Sequence, residues 1–142
     1  MKNYIFLLVI HICLVGCSKE PTKAQLEIVN QLIQEQIDIP YKEPNWTNPA
    51  KENLLKHGVT AKEVTERSKK LHDEIHDFFL ALKDKPYNDK KEWAISYLEP
   101  TIELWEKTVK SSKKPLDKSD KGNREVILLF EKRKEWLAIL KK

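Results

Sequence analysis

A chain of 142 residues has room for one domain, and its makeup narrows the kind. With 34% charged residues, 40% hydrophobic residues and only 3 Gly, it suits a helical domain better than a β-sandwich, which needs turn residues throughout. A formal net charge of +4, from 26 basic and 22 acidic residues mixed along the chain, is too mild to favour nucleic acid as a partner.

Residues 1–16 read Met-Lys-Asn, then an almost wholly apolar run from Tyr4 to Val15, then Gly16. A basic start, an apolar middle and a small residue before a cut are the marks of an export signal. As a helix the run covers about 20 Å. A bilayer core is roughly 30 Å thick and needs about 20 residues, so a cleaved signal is expected rather than a permanent span. The run ends in Leu14-Val15-Gly16-Cys17, which resembles the lipobox of bacterial lipoproteins. The resemblance covers residues 1–18 only. It implies an S-diacylglycerol group on Cys17, cleavage between Gly16 and Cys17, and acylation of the new amino group, for example by palmitate. Ser18 in the next position resembles an outer-membrane address; in a single-membrane cell the protein would face outward instead. An ordinary secretory signal with a coincidental Cys17 is the alternative. Two acyl chains already anchor a protein stably, since each buried CH₂ contributes about 0.8 kcal/mol. Removing residues 1–16 takes away Lys2 alone among charged residues, which leaves 25 basic against 22 acidic residues. It also takes Cys13, so the mature body has no internal disulfide and depends on core packing. His11 is a polar interruption of the run that nothing in this pattern explains.

Residues 17–21 are expected to be a lipidated tether and residues 22–142 a helical domain. Thr22 and Gln25 have the spacing of a capping box. Leu26, Val29, Ile33 and Ile37, flanked by Ile28 and Leu32, then recur at helical spacing, which predicts a helix near 23–38 stopped by Pro40. Residues 39–48 carry Pro40, Tyr41, Pro44 and Trp46 and read as an extended connector. Asn45-Trp46-Thr47 matches a glycosylation sequon, for which chance is the better explanation in a bacterial protein. Pro49 and Gly58 suit the start and stop of a short helix that Leu54 and Leu55 would pin to the core.

Thr60 and Glu63 form a second capping box, with Val59 and Val64 placed as its hydrophobic staple. Val64, Ser68, Leu71, Ile75, Phe78 and Leu82 then alternate four and three apart, with Phe79 widening the stripe. This predicts a helix over 61–84, about 36 Å long, followed by a turn at Pro86-Tyr87. Asp89 and Glu92 are a possible cap pair for a helix near 90–111. There Ile95, Leu98, Ile102, Trp105 and Val109 keep one phase across Pro100, so a kinked helix is expected rather than two. Trp93, Tyr97 and Leu104 lie roughly 100–140° round from Leu98 and widen the apolar arc. Residues 111–122 read as a loop. A last helix near 123–141 would turn Val126, Leu129, Phe130, Trp136, Leu137 and Leu140 inward. The fold class is therefore all-α: a small bundle of about four long helices plus one short helix.

Candidate chemistry is sparse. His72 and His76 are four apart on one helix face and could share a metal ion. They resemble the helix motif of zinc proteases only partly. Asp73 stands where that motif has Glu, Glu74 comes one place later, and a third ligand such as His57 would have to fold in. The ordinary alternative is two polar residues on the border of an amphipathic helix. Arg133 falls on the apolar face of the last helix. It either binds a ligand or partner, or lays its stem along the core with its head turned outward or paired to a Glu. Trp93, Tyr97 and Leu104 form a candidate partner-binding surface, with core packing as the alternative. Lys113-Lys114 and Lys141-Lys142 read as solvated, with weak attraction to anionic lipid possible. No nucleophile elbow, phosphate loop, cysteine pair or haem signature occurs, so no enzyme is expected. No cofactor is expected beyond the covalent lipid on Cys17. The reading is a lipid-anchored envelope module that binds another protein, in the manner of exclusion-type and immunity lipoproteins or accessory subunits of envelope machines. A metal-binding periplasmic protein using His72 and His76, or a structural envelope spacer, are the rivals.

Overall fold

The computed structural model describes residues 20–111 and 119–142. They form an all-α bundle of four long helices and one short one: α1 (Lys23–Ile37), α2 (Asn48–Lys56), α3 (Ala61–Lys83), α4 (Tyr87–Ser111) and α5 (Lys121–Leu140). The expected export signal with Gly16 and Cys17, and Lys113-Lys114, lie outside the described residues.

The helix starts follow local chemistry. Thr22 Oγ1 accepts the Gln25 amide at 3.2 Å while Gln25 Oε1 accepts the Thr22 amide at 3.0 Å, closing the first capping box. Gln25 also donates from Nε2 to the Ile139 carbonyl at 3.2 Å, which ties the start of α1 to the end of α5. The second box holds too: the Glu63 amide donates to Thr60 Oγ1 at 3.2 Å, and Glu63 Oε2 accepts the Thr60 amide at 2.8 Å. α2 stops at Gly58, whose φ of +72° suits a residue without a Cβ. The Gly58 and Val59 amides there reach back to the Leu55 and Leu54 carbonyls, the paired bonds of a Schellman stop.

Two starts differ from the sequence expectation. α4 begins at Tyr87, not near 90, and Asp89 lies inside its first turn. The Pro86 carbonyl accepts the Lys90 amide at 3.3 Å, so the backbone is already turning before Asp89 is reached and no Asp89–Glu92 cap is needed. α5 begins at Lys121, because Asp120 rather than a later residue takes the cap position and accepts the Asn123 amide at 2.9 Å. Pro100 sits within one continuous α4 as expected.

The core is built around α1. Ile28, Val29 and Leu32 pack with Ala94, Leu98 and Ile102 of α4 and Trp136 and Leu140 of α5. Ile33 turns to Phe79 and Leu82 of α3, and Trp93 packs against both groups. Each fully buried side chain of this size is worth about 1.5–3 kcal/mol. α4 and α5 run antiparallel: Glu99 pairs with Lys141 at 2.5 Å, Glu106 with Lys134 at 2.9 Å, and the Trp105 and Phe130 rings stack at 4.2 Å.

Several apolar residues expected inside are not. No residue of α2 is buried and Leu55 is exposed, because α2 packs on none of the long helices to any extent. Leu26, Val109, Val126 and Leu129 are exposed as well. In α3 only Phe79 and Leu82 are buried, while Leu71, Ile75 and Phe78 face outward. The N-terminal half of α3 is accompanied by the connector instead. Trp46 Nε1 donates to Thr65 Oγ1 at 2.9 Å and the Tyr41 hydroxyl to the Thr65 carbonyl at 3.3 Å.

Candidate functional site

The histidine pair stands on α3 opposite the end of α1. The rings of His72 and His76 are nearly parallel, 14° apart in plane, with centroids 6.4 Å apart. His72 Nε2 lies 3.0 Å from the Ile39 carbonyl and, protonated there, donates to it. Its Nδ1 is 3.5 Å from Asp73 Oδ1, and the Tyr41 ring meets it edge-on at 5.4 Å. His72 thus fastens the connector to α3, and each of its ring nitrogens has a neighbouring oxygen within 3.5 Å. His57 ends α2 as its C-cap and is exposed. Among the described residues no three His, Cys, Asp or Glu side chains gather where they could hold an ion.

Beside the histidines is an open groove of about 330 Å³, with Gln36 and Ile39 on one wall and Leu71, Ile75, His72 and His76 on the other. Ser68 completes the lining, beside the two histidines.

The Arg133 side chain is mostly covered, 11% exposed, and its Nη2 pairs with Glu35 of α1. Its guanidinium carbon is 4.9 Å from the centre of the Trp136 ring, while Nη1 is buried without a partner. This is the Glu-paired arrangement foreseen as the alternative to ligand binding. Trp93 and Tyr97 stack at 5.5 Å, and Phe79 meets Trp93 edge-on at 5.2 Å, so both aromatics are half-buried packing partners of the core. Leu104, on the same side of α4, lies beyond that cover and is 67% exposed. The three residues grouped by spacing are therefore divided by what stands opposite each.

Shifted acidities mark structural pairs. The Thr60 amide and hydroxyl hold the Glu63 carboxyl below its usual range. Lys134 does the same to Glu106, which in turn raises the Lys134 ammonium, and Lys107 lowers Glu103. Burial raises the Tyr87 phenol, whose hydroxyl is buried without a partner.

Sequence reasoning missed the outward face of α3, although its signal was present as the strict three–four alternation. It did not name Glu35 as the partner of Arg133 and missed the Gln25–Ile139 link, since these join residues 98 and 114 positions apart and leave no local trace. No described helix is long and apolar enough to cross a membrane. No family model, curated protein or solved structure matches the chain.

Proposed function

We propose that this chain is a bacterial lipoprotein, held at the cell envelope by acyl groups on Cys17, whose helical body works by binding protein rather than by catalysis. The observation that carries the anchor is the order Lys2, apolar run, Leu14-Val15-Gly16-Cys17. From Cys17 to the cap residue Thr22 the chain can reach at most about 18 Å, so an acylated Cys17 would keep the bundle close to the bilayer. Protein binding is supported by Leu104 and Leu128, 67% and 68% exposed on α4 and α5. Large apolar side chains left in water in numbers mark contact surfaces. A metal-dependent role would rest on His72 and His76 alone, one of which already holds the connector, and is the weaker reading.

Feeding cells a clickable palmitate analogue tests the anchor. The wild-type chain should carry the label and sediment with membranes, and Cys17→Ser should lose both. A labelled Cys17→Ser, or a wild-type chain with residues 1–16 retained, would overturn the lipid assignment. For binding, photo-crosslinkers placed at Leu104 and at Leu128 should each yield a discrete heterologous adduct. Its absence at both positions in a folded, membrane-retained chain would refute the binding role.

A further inference from the structure

The geometry points to helix α3 as the seam of a homodimer, in which two copies of this chain pack α3 against α3 in antiparallel order. This goes beyond the proposed function and does not depend on acylation.

Ala61, Val64, Ser68, Leu71, Ile75, Phe78 and Leu82 follow an unbroken heptad alternation. Ala61, Ser68, Ile75 and Leu82 take the a positions, and Val64, Leu71 and Phe78 the d positions. The domain itself uses one flank of this seam. The e residues are Thr65, which accepts from Trp46 and Tyr41, His72, which meets Ile39, and Phe79, buried against Ile33. The seam's middle stays open: Leu71, Ile75 and Phe78 are 57%, 47% and 52% exposed. Also open is the other flank, where Arg67 and Glu74 occupy successive g positions and are exposed.

Those two charges select both occupant and direction. In a parallel pair each g residue would meet an e residue that the domain already occupies. In an antiparallel pair the two occupied e flanks lie on one side, and the open g flanks meet on the other. A two-fold axis near Lys70 sets Arg67 opposite Glu74 of the second copy, and Glu74 opposite its Arg67. The same register places Ala61 opposite Phe78, Val64 opposite Ile75 and Ser68 opposite Leu71, so the smaller side chain faces the larger in every layer. Sliding by one heptad either way sets Glu74 against Glu74 or Arg67 against Arg67. The surface is thus complementary to itself in one register, as an isologous contact requires. The seam from Ala61 to Phe78 is about 26 Å long. The intrahelical pair Lys70–Glu74, exposed and 3.6 Å apart, is weak enough for Glu74 to exchange partners.

Charge reversal tests this on full-length chains carrying two different tags, co-expressed and extracted in detergent. Wild-type copies should co-purify. Arg67→Glu alone, or Glu74→Arg alone, should weaken recovery about tenfold, and the double variant should restore it because the pair is inverted and not removed. In parallel, Arg67→Cys/Glu74→Cys should give a disulfide-linked dimer on oxidation, above the background of a Lys69→Cys control on another face. Failure of wild-type copies to co-purify, failure of the double reversal to rescue, or a cross-link no stronger than the control would each overturn the dimer. None of these readouts depends on lipid at Cys17, so a failure here leaves the anchor assignment to its own test.

Discussion

Glu35→Gln should cost this fold more than Arg133→Met, although Arg133 is the larger and more buried residue. Among the described residues Glu35 is the one carboxylate partner of the guanidinium, which bridges α1 and α5, and its Nη1 has none. Neutralising Glu35 leaves a charge with little access to water. Breaking a fully buried pair in this way costs about 3–5 kcal/mol. Because the Glu35 side chain is 35% exposed, solvent screens part of the interaction, and about 2 kcal/mol is the expected loss. Arg133→Met removes the charge together with the orphaned Nη1, whose burial costs about 1–3 kcal/mol. It keeps an apolar stem beside Trp136, where thioether–ring contact replaces cation–π contact. The abandoned Glu35 can turn to water. Arg133→Met should therefore fall within about 1 kcal/mol of wild type, on either side, and should rescue Glu35→Gln in the double variant. Urea unfolding followed by circular dichroism reads these differences directly. A Glu35→Gln cost below about 0.5 kcal/mol, or an Arg133→Met cost exceeding it, would refute a buried charge dependent on Glu35.

Trp93→Ala should destabilise the bundle by about 3–5 kcal/mol, since it opens a cavity between both core groups. Leu104→Ala should change thermal unfolding by no more than about 0.5 kcal/mol, which separates a packing residue from a surface one. The Glu63 carboxyl is depressed in the folded state, so its support of α3 is complete above the usual carboxylate range and disappears as pH falls through the depressed value. Carbon-13 titration should find Glu63 below the usual carboxylate range in wild type and returned toward it in Thr60→Ala; an unchanged titration would disprove the cap's role. Native-state hydrogen exchange should find the amides of α1 slowest and those of residues 64–72 markedly faster. Equal protection in dilute solution would contradict the outward placement of Leu71 and Ile75.

Helix identity was legible where the determinants are local. Both capping boxes join residues three apart, and the structure closes both. The stop at Gly58 and the continuity of α4 through Pro100 are equally local. What periodicity could not supply was the neighbour. It reports which face of a helix is apolar, not whether another element covers it. That is why Leu55, Val126 and Leu129 read as inward and are exposed, and why Trp93 was grouped with Leu104. The partner of Trp93 is Phe79 of α3, on a different helix. The destination of Arg133 hung on a carboxylate in α1 that no spacing rule could nominate.

The helices are also of unequal length, and this bears on what the bundle is for. α1, which contributes to both core groups, has 15 residues, or about 22 Å. α3, α4 and α5 have 23, 25 and 20 residues and must extend past it. Overhang alone is not a sign of binding, since a helix meant only to hold distance can be polar all round and stable through i,i+4 pairs. The overhanging stretches here do carry such pairs, Lys62–Glu66, Lys70–Glu74, Glu103–Lys107 and Lys121–Glu125. Yet they also carry Leu71 and Ile75 on α3, and Leu104, Val109, Val126, Leu128 and Leu129 on the α4–α5 pair. Seven large apolar side chains in water add nothing to a spacer and give it surfaces that associate at random. They make sense where another surface removes them from water, which is the physical reason to prefer a binding module over a strut.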